Sequence, residues 1–174
     1  MRRAARLLLL VAVLAAAVVA PGRLDLADRF WPATAAAANL QRHVDADVVR
    51  VVDGDTIRVR IADRVERVRY IGVNTPELHH PRRGVEPGAR EAADVNHELV
   101  SGKHVRLEFD VRERDRHGRL LAYVWIGDVM VNAELVRRGY AQVMTVPPNV
   151  RHRSLFLGLE RAAREGGRGL WRRA

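Results

Sequence analysis

The sequence predicts an α+β domain built around a small closed β-barrel. Three observations point there. Five short runs rich in Val and Ile recur between residues 48 and 126, set off by Gly, Pro, Asn or Asp. Segments of helical spacing fall between and after those runs. The 174 residues, 48% hydrophobic and 29% charged, suffice for one compact domain with a tail.

The chain opens with Arg2, Arg3 and Arg6 ahead of an uncharged run from Leu7 to Ala20, which Pro21-Gly22 ends. Basic flank, short apolar stretch and small residues make residues 1–22 a secretory signal, so the protein is expected to be secreted or extracytoplasmic. The run is shorter than the roughly 20 residues a spanning helix needs. The alternative is an uncleaved segment that anchors the protein to a membrane. Residues 23–44 mix Pro, Ala and scattered charge without periodicity and read as a flexible linker. The folded domain is assigned to residues 45–172.

Val48 to Val52 reads as the first strand, and Asp53-Gly54 as a two-residue hairpin signal. Thr56 to Ile61 returns as the second, with Ile57, Val59 and Ile61 alternating against Arg58 and Arg60. Val65 to Val73 is the third. The loop NTPELHHPRRGVEPG follows, rich in Pro and Gly. Pro87 suits the first turn of a helix. Ala92, Val95, Asn96, Leu99 and Val100 then keep helical spacing until Gly102. Val105 to Phe109 and Leu120 to Ile126 are the fourth and fifth strands, and Gly127-Asp128 turns the chain before Met130-Val131. Asn132 to Arg138 reads as a short helix ended by Gly139. Ser154 caps a last helix through Arg164, with Leu155, Leu159, Ala162 and Ala163 on one face.

The formal net charge of +9 points to an anionic partner, a nucleic acid or an acidic membrane surface. Aromatic residues make up only 5%, which argues against a long base-stacking platform. With no cysteine, disulfides, thiolate metal sites and thiol catalysis are excluded.

Three clusters carry chemistry. In VVRVVDGDTIRVRI, Asp53 and Asp55 flank Gly54. Strand alternation puts Asp55 on the face of Ile57, Val59 and Ile61. A carboxylate at a barrel rim costs free energy unless a cation or several donors meet it. Asp53 is better read as an acceptor for backbone N–H groups in the turn. In GVNTPE, Pro76 holds Thr75 extended, which can aim the Thr75 carbonyl, Asn74 and Glu77 outward. Such oxygen donors suit a hard cation. In DRHGRLLAYVW, Arg119 opens an apolar strand, either as a rim residue or as a fork for phosphate. Arg69 poses the same choice, and its neighbours on both parities are apolar. His79, His80, His97, His104 and His117 form no compact zinc pattern; His79 and His80, in a loop near Glu77 where they could touch phosphate or water, read as solvated loop residues.

In this order and at these spacings, VVDGDTIRV, VRYIGVNTPE and DRHGRLLAYVW resemble the staphylococcal nuclease (thermonuclease) family. HPRRGVEPGAREA, LEFDVRERDRHGR, VNAELVRRGYAQV and GGRGLW extend the resemblance over about residues 47–171. It implies a five-stranded OB-type β-barrel with three α-helices. It also implies an endonuclease that hydrolyses phosphodiester bonds of DNA and RNA with Ca2+ and leaves 3′-phosphates. By the resemblance, Arg69, Glu77 and Arg119 are catalytic, and Asp55 and Thr75 hold calcium. Asp53 is an acid of the same turn behind those ligands. Asn74 stands where well-known members have a second calcium-binding aspartate, so weaker calcium binding is expected. AQVMTVPPN departs from the family pattern too: Thr145 and Pro147 occupy the region where the family carries tyrosines that pack near the nucleotide. Arg82 and Arg83 read as holding the phosphate backbone or, equally, as a solubilising surface. The expected protein is a monomer. The rival reading is a non-catalytic nucleic-acid-binding module on the same barrel; a third is a membrane-tethered interaction protein.

Overall fold

The computed structural model describes residues 43–78, 82 and 84–172. The signal or anchor assigned to residues 1–22 and nearly all of the linker assigned to 23–44 lie outside the described residues, as do His79, His80 and Arg83. In chain order the elements are β1 (His43–Val51), β2 (Thr56–Ile61), β3 (Arg64–Tyr70), β4 (Val73–Asn74), α1 (Ala89–Val100), β5 (His104–Glu108), β6 (Leu120–Ile126), β7 (Val129–Met130), α2 (Val131–Arg137), β8 (Gln142–Val143) and α3 (Arg153–Glu165). A 3-10 turn, Gly169–Trp171, follows.

The main sheet runs β3-β2-β1-β5-β6-β7. Its neighbours are antiparallel, but β3 also pairs in parallel with β6, from Val68 opposite Leu120 to Tyr70 opposite Ala122. That seam closes a five-stranded barrel, which leaves no free edge between β3 and β6. The alternation in β2 decides which side is inside: Ile57 and Val59 are buried while Arg58 and Arg60 are exposed. Val68, Val105, Leu107, Ala122 and Val124 meet them in the core, and Leu135 and Val136 of α2 and Phe156 of α3 plug it from outside the sheet. Full burial of such side chains stabilises the fold by about 1.5–3 kcal/mol each.

Five details differ from the sequence expectation. First, β1 starts at His43, inside the stretch assigned to the linker, because His43 to Asp47 pair with Glu108 to His104 of β5. Second, the Asp53-Gly54 signal makes a three-residue turn. The N–H groups of Val52 and Asp53 both donate to the Thr56 carbonyl. Gly54 is needed there for closeness, since a Cβ would sit 2.6 Å from the Thr75 hydroxyl oxygen. Third, the expected strand Val65–Val73 is broken at Ile71-Gly72. Gly72 has φ 79° and lies against the Phe156 ring, so the chain turns there and restarts as β4, paired with β8.

The other two concern helices. Pro87 and Gly88 are the central residues of a turn closed by the Ala89 N–H on the Glu86 carbonyl, so α1 begins at Ala89. In α3 the anchoring residues are Phe156 and Ala163, whereas Leu155 is 47% exposed and Ala162 also faces out. Leu159 and Ala163 of the expected face do turn inward, and Phe156 joins them because its ring takes the site against Gly72 and Tyr123.

Candidate active site

The Asp53-Gly54-Asp55 turn, the end of β3, the segment after β4 and the turn before β6 converge at one end of the barrel. Asp55 precedes the first residue of β2, so strand alternation does not reach it. Its carboxylate instead meets side chains of the outer face. Oδ1 is 3.0 Å from Arg69 Nε and accepts the Thr56 hydroxyl at 3.2 Å, while Oδ2 accepts the Thr75 N–H at 2.8 Å. Thr56 and Arg69 are paired neighbours across β2 and β3, opposite in phase to the core pair Ile57 and Val68. Asp55 is only 5% exposed, and burial pushes its carboxyl above the usual carboxylate range against the pull of Arg69.

Arg69 is itself buried and heavily engaged. Beyond Asp55, its Nη1 donates to the carbonyls of Tyr70 and Val73 at 2.8 Å each, and its Nη2 to Asn74 Oδ1 at 3.0 Å. The face that the sequence pattern left open is therefore settled: Arg69 lies outside the barrel core, under the β4 segment. Of its five N–H bonds, four are used within the protein. Asn74 thus spends its amide oxygen on Arg69, and Thr75 is buried with its N–H on Asp55. Asp53 Oδ1 accepts the Asp55 N–H at 3.0 Å, the turn-forming role read for it in the sequence.

Arg119 is fixed differently. Its Nε lies 2.6 Å from Asp115 Oδ2, and its backbone N–H joins that of His117 on Asp115 Oδ1. Burial works to raise the Asp115 carboxyl, but Arg119 and these N–H groups outweigh it and hold it below the usual carboxylate range. Both η-nitrogens of Arg119 remain without a protein partner among the described residues. Glu77 is exposed, and its backbone is clamped to Glu86 through its N–H on Oε2 and its carbonyl on the Glu86 N–H, both at 3.0 Å.

Two cavities meet here. One, of about 230 Å³, is bordered by Asp53, Asp55, Thr75, Arg67 and Leu78. The other, of about 500 Å³, is a cleft lined by Arg112, Arg116 and His117 together with Met144, Val146 and Pro147. Arg69, Glu77 and Arg119 line both. Asn74 lines the larger cleft and not the smaller cavity, although it and Asp55 both bond the Arg69 guanidinium. Pro147 lines the cleft too, but Thr145 does not. Arg82 is exposed and lines neither cavity. Among the described residues no three His, Cys, Asp or Glu side chains gather closely enough to form a metal cluster.

Several working residues escaped the sequence reading. Asp115 is one, although its place four residues before Arg119 in DRHGR was a signal. Asn96 is another: wholly buried, it accepts the Tyr70 hydroxyl and donates to the Asp53 carbonyl, tying α1 to the acidic turn. A polar residue on the buried stripe of a helix marked it. Asn149 bonds both the N–H and the carbonyl of Arg112, joining two walls of the cleft, and nothing in the local pattern announced that.

Residues 67–173 match the family model described as staphylococcal nuclease homologue. The match contains Arg69, Glu77 and Arg119 and begins after the Asp53-Gly54-Asp55 turn. The chain is 40% identical over 108 residues to a thermonuclease of Staphylococcus intermedius, covering 62% of this chain and 64% of that one. It is 34% identical over 124 residues to a thermonuclease of Staphylococcus hyicus, covering 71% and 73%. Against the endonuclease YncB of Bacillus subtilis it is 35% identical over 135 residues, covering 76% and 60%.

Proposed function

We infer, since the chain belongs to the staphylococcal nuclease family, that it is a phosphodiester hydrolase that cuts DNA and RNA internally. The observation that carries this reading is the sharing of Arg69, Glu77 and Arg119 between the small acidic cavity and the larger cleft. A phosphodiester seated at that boundary meets a carboxylate and a guanidinium with unspent donors. Glu77 accepts a proton from the attacking water as the new P–O bond forms. The bond from phosphorus to the 5′-oxygen breaks, the 5′-oxygen takes up a proton, and a 3′-phosphate remains. Arg119 offers two η-nitrogens to the phosphoryl oxygens as negative charge builds. Arg69 contributes its remaining N–H and the fixed positive charge beside Asp55.

The oxygen-only donor set fits a hard divalent cation, and we assign it to calcium. Asp55 would hold the ion with the Thr75 carbonyl, the Asn74 amide oxygen would join them through the lone pair that its bond to Arg69 leaves over, and Asp53 would steady the turn behind them. The fit rests on a buried carboxylate whose charge burial disfavours, next to a cavity that Asp53 and Glu77 also line. When bound, the ion supplies Lewis-acid stabilisation of charge on the phosphoryl oxygens. The segment 1–22 would export the protein as a monomer.

The test is digestion of labelled single- and double-stranded DNA and RNA with calcium, with chelator, and with Glu77→Gln. Cleavage with calcium, loss in chelator and loss in the variant are expected. Full activity in chelator would reject the metal, and a fully active variant would reject the base. A protein that binds every substrate and cuts none would be the binding module instead.

A further inference from the structure

On the outer face of β1, β2 and β3, Arg50 stands opposite Arg58, and Arg58 opposite Arg67. All three are exposed. No carboxylate lies within ion-pair distance of any of them among the described residues. Like charges directly opposite one another across strands are destabilising. The row is also not an accident of alternation. A register shift between Val48 and Arg50 keeps Val48 inside and turns both Val49 and Arg50 outward, which sets Arg50 against Arg58. Bulges of this kind re-aim a side chain next to a working site. The row then leads somewhere. Arg67 borders the small cavity beside Asp55, and Arg69, two residues along the same face of β3, lies within it.

We propose that Arg50, Arg58 and Arg67 form a phosphate-binding track that holds a polynucleotide strand on one side of the scissile bond. This deepens the proposed nuclease reading and rests on it for the identity of the strand. Adjacent strands lie about 4.8 Å apart, so the row spans about 10 Å before side-chain reach is added, enough for more than one backbone phosphate. The occupant follows from charge and continuity. Three unneutralised guanidinium groups select a polyanion, and the track ends at the cavity where the reacting phosphodiester is placed. An isolated anion would not need a row, and an acidic membrane surface would have no use for its junction with the cavity.

The test compares wild type with Arg50→Gln/Arg58→Gln, which leaves every cavity-lining residue in place. A matched control, Arg153→Gln/Arg161→Gln, removes the same charge from exposed positions of α3. Two substrates are used with calcium: a long oligothymidylate and a dinucleoside monophosphate, which has no flanking phosphates. The track variant should raise KM for the long substrate about ten-fold at low salt while kcat stays within about two-fold. Turnover of the dinucleotide should not change. Binding of a labelled oligothymidylate in chelator should weaken equally, and the slope of log K against log salt should flatten by about 1.4, at about 0.7 per lost contact. Unchanged KM and slope, or an equal loss in the α3 control, would overturn the track. Equal losses on both substrates would place the effect in the active site and overturn it too. Loss of binding to phosphatidylserine vesicles with oligonucleotide binding intact would assign the row to a membrane. If the wild type binds but cuts nothing, the nuclease reading fails while the binding assay still judges the track.

Discussion

Arg69→Lys keeps the charge beside Asp55 but removes the fork. In the wild type four contacts radiate from three nitrogens: Nε to Asp55, Nη1 to two carbonyls and Nη2 to Asn74. An ammonium is a single point with three donors. It can stay with Asp55 or reach the Tyr70 and Val73 carbonyls, and it cannot do both. Two charge-assisted contacts are therefore lost, each worth about 1.5–3 kcal/mol. The expected destabilisation is about 3–6 kcal/mol, a large share of the roughly 5–15 kcal/mol that holds a domain folded. Urea unfolding at neutral pH, followed by tryptophan fluorescence with chelator present, measures it free of any metal contribution. A loss below about 1 kcal/mol would show that the fork does not brace the end of β3 and would refute the reasoning. A double-mutant cycle with Asp55→Asn should show strong coupling, because the first change already strips Asp55 of the fork's geometry.

Three further outcomes follow from the same geometry. Asp115→Asn should leave the fold intact and lower kcat by about 10–100-fold with little change in KM, since it replaces the acceptor that holds Arg119 Nε with a group that is half donor; steady-state kinetics on a DNA substrate decides. At the proposed calcium site, Asn74→Asp should tighten binding by adding a formal charge, measured by calorimetric titration, and equal or weaker binding would count against Asn74 as a ligand. Glu134 is held at about 2 by hydrogen bonds from Arg137 and Arg138, below its ordinary 4.5. Its stabilising share is therefore present above the unfolded value and disappears as pH falls from about 4.5 towards 2. Glu134→Gln should flatten the stability–pH curve in that window, and an unaltered curve would show that the arginines do not hold it.

Much of the barrel was legible because alternation in β2 and the apolar run of β6 are forced by burial. The faces of Ile57 and Val59, and the buried stripe of α1, follow from period alone. What local pattern missed was set by long-range pairing. β1 reaches back to His43 only because β5 offers it a partner. The phase of Arg50 depends on a bulge that no spacing rule announces. The burial of Asp55 was anticipated, but from an alternation that stops one residue short of it; its true cause is the cover supplied by Thr75 and Arg69. The candidate site residues were found by ordered motifs. The clamps behind them, Asp115 on Arg119 and Asn96 on the acidic turn, were hidden because each acts through a neighbour.

The parallel seam between β3 and β6 has a consequence for how activity can be lost. Arg69 faces Leu121 across it, and Arg119 stands just before β6 begins. Two groups fifty positions apart in the chain become companions only when that joint is shut. Fraying there would silence the chemistry while the rest of the barrel kept its shape, so a catalytic assay should register trouble at the joint before any spectroscopic probe of bulk structure does.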